Sequence, residues 1–464
     1  MPTLLVTALI LGLLSVQEAG HLPGALPTEE RTGSTQAPLS SSETAVDTLR
    51  GAASFDTVWV RIRDTHYDPE LGGLDWEGLR AELRPRAAQA TSQAELRRVI
   101  RELLDHLGES HFVLIPSGAE DPASVGGGTA SPGMDLRWLD QGAVVTRVEE
   151  GGGAHRAGIQ PGELLLAMEN ESVEALLERA HPPADAPNRA HPPYWEDLLL
   201  TNWIQGDSGE ERRMTLLDRN GQEKELTVEL AEPAGELVQF GHLPPFRLAV
   251  TERTLRAKDG GPVGLIRFTG WFPQITSQLA EAVHSHRESQ GIILDLRGNP
   301  GGVGGLVMGV GGHFLDERLP LGEMHTRETS LRFVVNPQRI APDGSRVEPF
   351  QGPLAILVDG LSASTTEIFA GGMQALGRAR IFGQTTAGQV LPAVLTTLPN
   401  GDRLMHAVAD FTAPDGSRLE GTGVDPDIQV ILSRDRLLTG DDPVLTQALD
   451  WISSASHYNS ESHP

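Results

Sequence analysis

Leu354-Ala355-Ile356-Leu357-Val358-Asp359-Gly360-Leu361-Ser362-Ala363-Ser364-Thr365-Thr366-Glu367-Ile368-Phe369-Ala370-Gly371 is a short apolar β run that stops at a Gly and passes within a few residues into a helix. Ser364 falls at the junction. A side chain there stands at the C-terminal end of a strand, where open α/β sheets carry their chemistry. It also lies beside the free N–H groups of a helix N-terminus, which suit a developing negative charge. A second reading fits equally well: Ser364-x-x-Glu367 is an ordinary capping box. Taken alone, the stretch leaves cap and nucleophile open.

Its surroundings set the fold class. Val263–Phe268 reads as a strand, Gln274–Ser289 as a helix and Gly291–Leu296 as a buried strand, a βαβ unit of an α/β fold. Arg297-Gly298-Asn299-Pro300-Gly301-Gly302-Val303-Gly304-Gly305 follows that strand. It lacks the phosphate-loop and dinucleotide spacings. A Gly-rich turn there brings bare backbone N–H groups against a reacting oxygen. Leu315–Gly352 reads as a long polar excursion. Beyond the central helix, Arg378–Gly383 and Val390–Leu398 read as strands. Asn400-Gly401 is a hairpin turn, Leu404–Phe411 a further strand and Pro443–Ser453 a final helix.

Upstream, Leu49–Leu107 reads as helical. Leu96, Val99, Ile100, Leu103, Leu104 and Leu107 form one apolar face, and Ser92-x-x-Glu95 is a capping box at its start. Gly108 ends the helix, which places Ser110 and His111 at the entry to the β run Phe112–Ile115. Gly133-Met134-Asp135-Leu136 leads into another strand, and Gly142–Val148 is the next. Asn220-Gly221 joins Met214–Arg219 to Glu225–Leu230 as a two-residue hairpin. Trp195–Trp203, in a Pro-punctuated insertion, forms an added helix with its aromatics in packing roles. His406 sits on a strand that faces it to solvent, which makes it a rival to His111 only as a base in reserve.

Composition narrows the function. The 464 residues carry 39% hydrophobic and 22% charged side chains, as in a multidomain globular protein. A formal charge of −26 argues against nucleic acid and anionic lipid as partners. With no Cys, thiol catalysis, disulfides and thiolate zinc sites are excluded. The apolar run Leu4–Val16 resembles the core of a secretory signal and is short for a membrane span. The expectation is an exported protein, periplasmic or extracellular, with no stable span after signal removal. Residues 1–20 are read as signal and 21–45 as a disordered linker. Residues 46–116 form a helical region carrying Ser110-His111, 117–232 a β-rich domain with an insertion, and 233–464 an α/β core.

Two resemblances enter here. Gly153-Ala154-His155-Arg156-Ala157-Gly158-Ile159-Gln160-Pro161-Gly162-Glu163 resembles the turn of a PDZ domain, with Glu where Asp is usual. That implies a module binding extended peptides, often C-termini, beside Gly133, Met134, Asp135 and Leu136. Asp295-Leu-Arg-Gly-Asn-Pro-Gly-Gly302, Ser362-Ala-Ser364-x-x-Glu367 and Gly421-x-Gly-Val-x-Pro-Asp427, in this order, resemble the S41 serine peptidases, the tail-specific or C-terminal processing peptidases. That family has a crotonase-like (ClpP-like) α/β core. Its Ser–Lys branch has a lysine in the turn matched by Gly383–Gln389. Here the position is Gln389, and Lys224 and Lys258 are the chain's only lysines. The branch resembling the tricorn core instead uses Ser, His, a second Ser and Glu, matched by Ser364, His111, Ser110 and Glu420. The resemblance implies His111 as general base, Ser110 and Glu420 as its orienting groups, and an oxyanion hole from Thr365 with Gly301 or Gly302.

The implied function is cleavage of peptides or unfolded protein tails, with no cofactor and no metal. The alternative is a non-catalytic protein that binds a peptide or small ligand on the same fold. Convergence of Ser364, His111 and Glu420 separates the two. Crotonase-like acyl-CoA chemistry would use the backbone oxyanion hole alone, and the Ser-His pair counts against it. The helical His284 with Glu281 and Glu288 has a metal-compatible spacing that is more often a solvated surface contact.

Overall fold

The computed structural model describes residues 48–117, 129–180, 192–241, 243 and 245–461. The expected signal and linker lie outside them. Helices Thr48–Thr65, Trp76–Ala88 and Gln93–Asp105 form the N-terminal part. The stripe Leu96, Val99, Ile100, Leu103 and Leu104 is buried against Phe55, Val58, Trp59 and Ile62, while Leu107 is only partly covered. Trp59 and Trp76 each donate their indole N–H to the other's backbone carbonyl, at 2.8 and 3.1 Å. Ser92 accepts the Glu95 N–H at 3.2 Å, but the Glu95 carboxylate turns to Thr91, so the box is only half formed. These helices pack on a three-stranded antiparallel sheet of Val113–Ile115, Arg403–Ala407 and Ala393–Thr397.

The core is a six-stranded sheet. Its order is Val250–Arg256, Pro262–Phe268, Gly291–Asp295, Leu354–Val358, Arg380–Gly383 and Ile428–Gln429. The first pair is antiparallel and every later pair parallel. Gly291–Asp295 and Leu354–Val358 are buried at every position, as parallel strands covered on both faces must be. Ile292, Leu294 and Ile356 point into one apolar cluster, and Ile293, Ala355 and Leu357 into another. The helix Pro443–Glu461 closes the second face through Val444, Ala448 and Ile452. Ser364 therefore lies beyond the C-terminal end of a central strand, where the sequence puts it.

Three local expectations change. The excursion Leu315–Gly352 contains a hairpin, Pro320–His325 with Ser330–Val334, which pairs onward with Asp410–Thr412. The expected strand Leu404–Phe411 divides accordingly, its two halves serving different sheets. The turn at Asn220-Gly221 is longer than two residues: Leu217 faces Glu223, and the Asp218 carboxylate caps the N–H groups of Asn220 and Gln222.

A β-rich domain is inserted between helical region and core. Its sheet runs Met134–Leu139, Gly142–Val148, Leu164–Met168, Glu211–Leu217 and Glu223–Glu229, with Met134–Leu139 at one edge. The added helix is present as Pro192–Trp203 and packs on that edge strand. The junction with the core is charged and buried. Arg137 donates from Nε and Nη2 to Asp359 Oδ2 at 2.9 and 2.6 Å, and Asp197 Oδ2 lies 3.7 Å away. Asp359 also accepts the N–H groups of Gly298 and Leu361, so the cation reaches the turn leading to Ser364. Burial pushes Asp197 up to about 7. Removing one member of such a set leaves an uncompensated buried charge. Arg137→Met should lower stability by about 3–5 kcal/mol. Arg179→Met, which breaks an exposed pair with Glu171, should change it by less than about 1 kcal/mol. Urea unfolding followed by circular dichroism measures both, and equal midpoints for the two variants would contradict this account of the junction.

Candidate active site

Ser364 is the N-cap of helix Thr365–Ala375, only 2% exposed, with φ 57° and ψ −118°. An L-residue in that conformation is strained by roughly 1–3 kcal/mol and persists only where its surroundings hold it. Glu367 does the holding. Its Oε2 accepts the N–H of Ser364 at 2.9 Å and of Gln389 at 2.9 Å. Its Oε1 accepts the Thr386 hydroxyl at 2.5 Å and the Gly388 N–H at 2.7 Å. Burial nevertheless outweighs these donors and raises its carboxyl to about 6. The Ser-x-x-Glu capping box is thus real, and its glutamate also ties the helix start to the turn at residues 386–389.

The glycine loop lies against the same point. A Cβ on Gly301 would stand 2.8 Å from Ser364 Cβ and 3.0 Å from Thr365 N, so only glycine fits there. Gly302 has φ 146° and also lacks room for a side chain, with Trp271 O 2.3 Å from where a Cβ would be. Asn299 laces loop to turn: its Oδ1 accepts the Gly301 N–H at 3.0 Å and its carbonyl accepts the Ala363 N–H at 3.1 Å. Thr365 Oγ1 donates to Gly302 O at 3.0 Å, which sets the two residues side by side. The Gly301 N–H is therefore engaged. Those of Gly302 and Thr365 have no hydrogen-bond acceptor among the described residues.

Ser110 and His111 come from the other side, on the loop after helix Gln93–Asp105. His111 has φ 63° and is buried. Its Nδ1 lies 2.6 Å from Ser110 Oγ. Ser110 Oγ donates to Glu420 Oε2 at 3.0 Å, and the Ser110 N–H donates to Oε1 at 2.9 Å. Glu420 Oε2 also accepts the Val390 N–H at 2.8 Å. Burial raises Glu420 to about 7 and lowers His111 to about 3. The other ring nitrogen of His111, Nε2, is buried and takes no hydrogen bond among the described residues. The two assemblies meet at consecutive peptides: Glu367 holds the N–H of Gln389, and Glu420 that of Val390.

The remaining candidates sit elsewhere. Gly133, with φ 73°, turns the chain into the edge strand; Met134 and Leu136 are buried in the β-rich domain's own core; Asp135 is paired with Arg147. His406 does not face solvent. It is buried, with Nδ1 3.2 Å from Thr65 Oγ1 and Nε2 3.1 Å from Thr396 Oγ1, so both ring nitrogens are occupied. Burial lowers it to about 4. Its strand is the middle one of a sheet covered by helices, where alternation does not deliver an exposed face. His284 does not join a cluster: among the described residues no group of three or more His, Asp or Glu is placed to hold a metal ion. Sequence reasoning missed Asn299, although it stands inside a motif it quoted. It also missed Arg137, whose partner Asp359 is 222 positions away.

A profile of peptidase family S41 matches residues 262–430, and one of the tricorn protease C1 domain matches residues 52–105. Carboxyl-terminal-processing peptidase 3, chloroplastic, of Arabidopsis thaliana is 25% identical over 379 residues, 80% of this chain and 67% of that protein. A probable CtpA-like serine protease of Staphylococcus haemolyticus is 21% identical over 341 residues, 73% of this chain and 60% of its own length. Among solved structures, the photosystem II D1 C-terminal processing protease superposes with a TM-score of 0.54 at 18% identity. It covers 85% of this chain and 98% of that one. Mature CPAF does so with 0.58 at 13%, covering 89% and 98%. The glycine loop, Ser364, Glu367 and Glu420 all fall within the matched core; residues 262–430 belong to peptidase family S41, and the protein is a serine peptidase.

Proposed function

We propose that this peptidase cleaves peptides or unfolded protein tails through Ser364, with His111 as general base and Ser110 and Glu420 orienting it. The observation that carries this reading is the meeting of the nucleophile turn and the Ser110–His111–Glu420 chain at the peptides of Gln389 and Val390. Tautomer logic supports it. Ionised Glu420 only accepts, so the single Ser110 hydroxyl proton goes to it, and Nδ1–H of His111 must then donate to Ser110 Oγ. Nε2 is left with a bare lone pair. It takes the Ser364 proton as Oγ attacks the scissile carbonyl, and returns it to the leaving amine. Water then hydrolyses the acyl ester by the same relay. Of the two glycines, Gly302 fits the oxyanion hole beside Thr365, because the Gly301 N–H is already given to Asn299.

The core is read as the crotonase-like fold of this family, and the β-rich domain as a PDZ module that takes a peptide along Met134–Leu139. The edge position of that strand and the Gly133 turn support it. Two groups on the edge are engaged: Leu136 O accepts from Arg137 Nη1, and the Trp138 N–H donates to Asp197. A peptide that pairs there replaces both. Processing of carboxyl termini, which the Arabidopsis relative's name describes, suits such a module. The apolar run Leu4–Val16 supports action outside the cytoplasm.

Ser364→Ala and His111→Ala should each lower kcat on an unstructured peptide by about four orders of magnitude or more, because such groups act as a unit. Both should keep the wild-type circular dichroism spectrum. Full turnover in folded Ser364→Ala protein would remove the assignment. The pH profile tests the relay. Below about 7 Glu420 is protonated and donates to Ser110, which then donates to Nδ1 and leaves the imidazole proton on Nε2. The rate should therefore rise with pH through an apparent pKa near 7, and Glu420→Gln should abolish that limb while slowing the enzyme throughout. A limb that persists unchanged in Glu420→Gln would place the titration elsewhere.

A further inference from the structure

We infer that Tyr194, on the helix that the β-rich domain adds, is a positioning residue for the nucleophile in the core, acting through Gln389. The inference rests on Ser364 being the nucleophile.

Helix Pro192–Trp203 works in two directions. Leu199 and Leu200, with Ile204 just beyond, enter the β-rich domain's core beside Leu136 and Leu176. Asp197 accepts the Trp138 N–H at 2.6 Å. Tyr194 and Leu198, one turn apart, leave that domain and close on Leu361, Ala363 and Ala387, a separate small cluster. Two of those three partners, Leu361 and Ala363, precede Ser364 on its own turn, and the third, Ala387, lies within the turn that Glu367 gathers. The helix thus seats one domain directly on the other's reactive turn.

The contact is polar as well as apolar. Tyr194 is buried, and its hydroxyl donates to Gln389 Oε1 at 3.2 Å. A buried phenol without a partner would be unfavourable, and Gln389 is the partner this bond supplies. Burial, and the nearby Glu367 carboxylate, push the phenol above its ordinary range, so it remains a donor. Gln389 is held from both ends: its side chain by Tyr194 and its backbone N–H by Glu367, while the next N–H goes to Glu420. Gln389 occupies the position where the Ser–Lys branch carries its lysine. A neutral amide there supplies an acceptor in place of a base. Tyr194 thereby steadies the residue that lies between the two peptides the buried carboxylates hold, and the site is complete only with the β-rich domain in place.

The test is a double-mutant cycle in the full chain. Tyr194→Phe keeps the ring and its apolar contacts and removes one hydroxyl; Gln389→Leu removes the acceptor. Each should lower kcat for peptide hydrolysis by about three- to tenfold, the scale of one neutral hydrogen bond, with KM changed less than about twofold, since the residue acts on the reacting turn rather than on binding. The double variant should be no slower than the slower single variant, because both remove the same bond. A purely structural role would move the thermal midpoint and KM without this coupling. Wild-type kcat in Tyr194→Phe, or losses that multiply in the double variant, would overturn the inference while leaving Ser364 standing. Activity retained by Ser364→Ala in the same assay would instead overturn the nucleophile assignment, so the two failures read differently.

Discussion

One buried carboxylate sets the geometry of the turn that carries Ser364. Glu367 sits at the third position of a helix, out of water, and collects donors from Ser364, Thr386, Gly388 and Gln389. Burying a carboxylate is unfavourable, and its raised affinity for a proton records that. What the arrangement secures is conformation. It fixes a non-glycine residue at φ 57°, at the end of a parallel strand, in a turn that a single capping bond would hold weakly. The glycines opposite are the complement of that constraint, since any side chain on Gly301 would collide with Ser364.

The same logic extends outward. A second buried carboxylate, Glu420, gathers Ser110 and the peptide after the one Glu367 holds, so helical region and core share a two-residue stretch of backbone. A third, Asp359, takes Arg137 from the β-rich domain and returns two bonds to the turns around Ser364. Each part of the chain is fastened to the centre by a polar group with little access to water, where a lost partner is most damaging. Charge state therefore matters more here than on the acidic surface. With Glu420 and Asp197 both raised to about 7, the folded protein binds more protons than the unfolded chain between the ordinary carboxylate range and pH 7. These two groups make stability fall as pH rises through that window.

What the sequence made legible was local or conjunctive. Continuous apolar runs announced Gly291–Asp295 and Leu354–Val358 as buried parallel strands, because such strands need no alternation. The apolar stripe of helix Gln93–Asp105 and the N-cap at Ser92 followed from spacing alone. Ser110, His111, Glu420 and Ser364 emerged from motifs taken together, and the structure places the first three in one hydrogen-bonded chain. Contacts between distant segments stayed hidden. Nothing near Arg137 forecasts Asp359, and nothing near Tyr194 forecasts Gln389, because such pairs are created by packing whole elements. His406 misled for a related reason: alternation predicts exposure only for a half-covered sheet, and Thr65 from the first helix covers this one. The proposed preference for Gly302 over Gly301 rests on the Asn299 bond, which no spacing rule supplies.

The most direct test is chemical. A fluorophosphonate probe reacts with a serine only where a base removes its proton and an oxyanion hole accepts the charge. The wild-type protein should carry one adduct, located by peptide mass spectrometry on Ser364, formed faster above pH 7 than below it. His111→Ala should not be labelled on the same timescale. An adduct on another serine, or labelling of Ser364 at an unchanged rate in His111→Ala, would contradict the account.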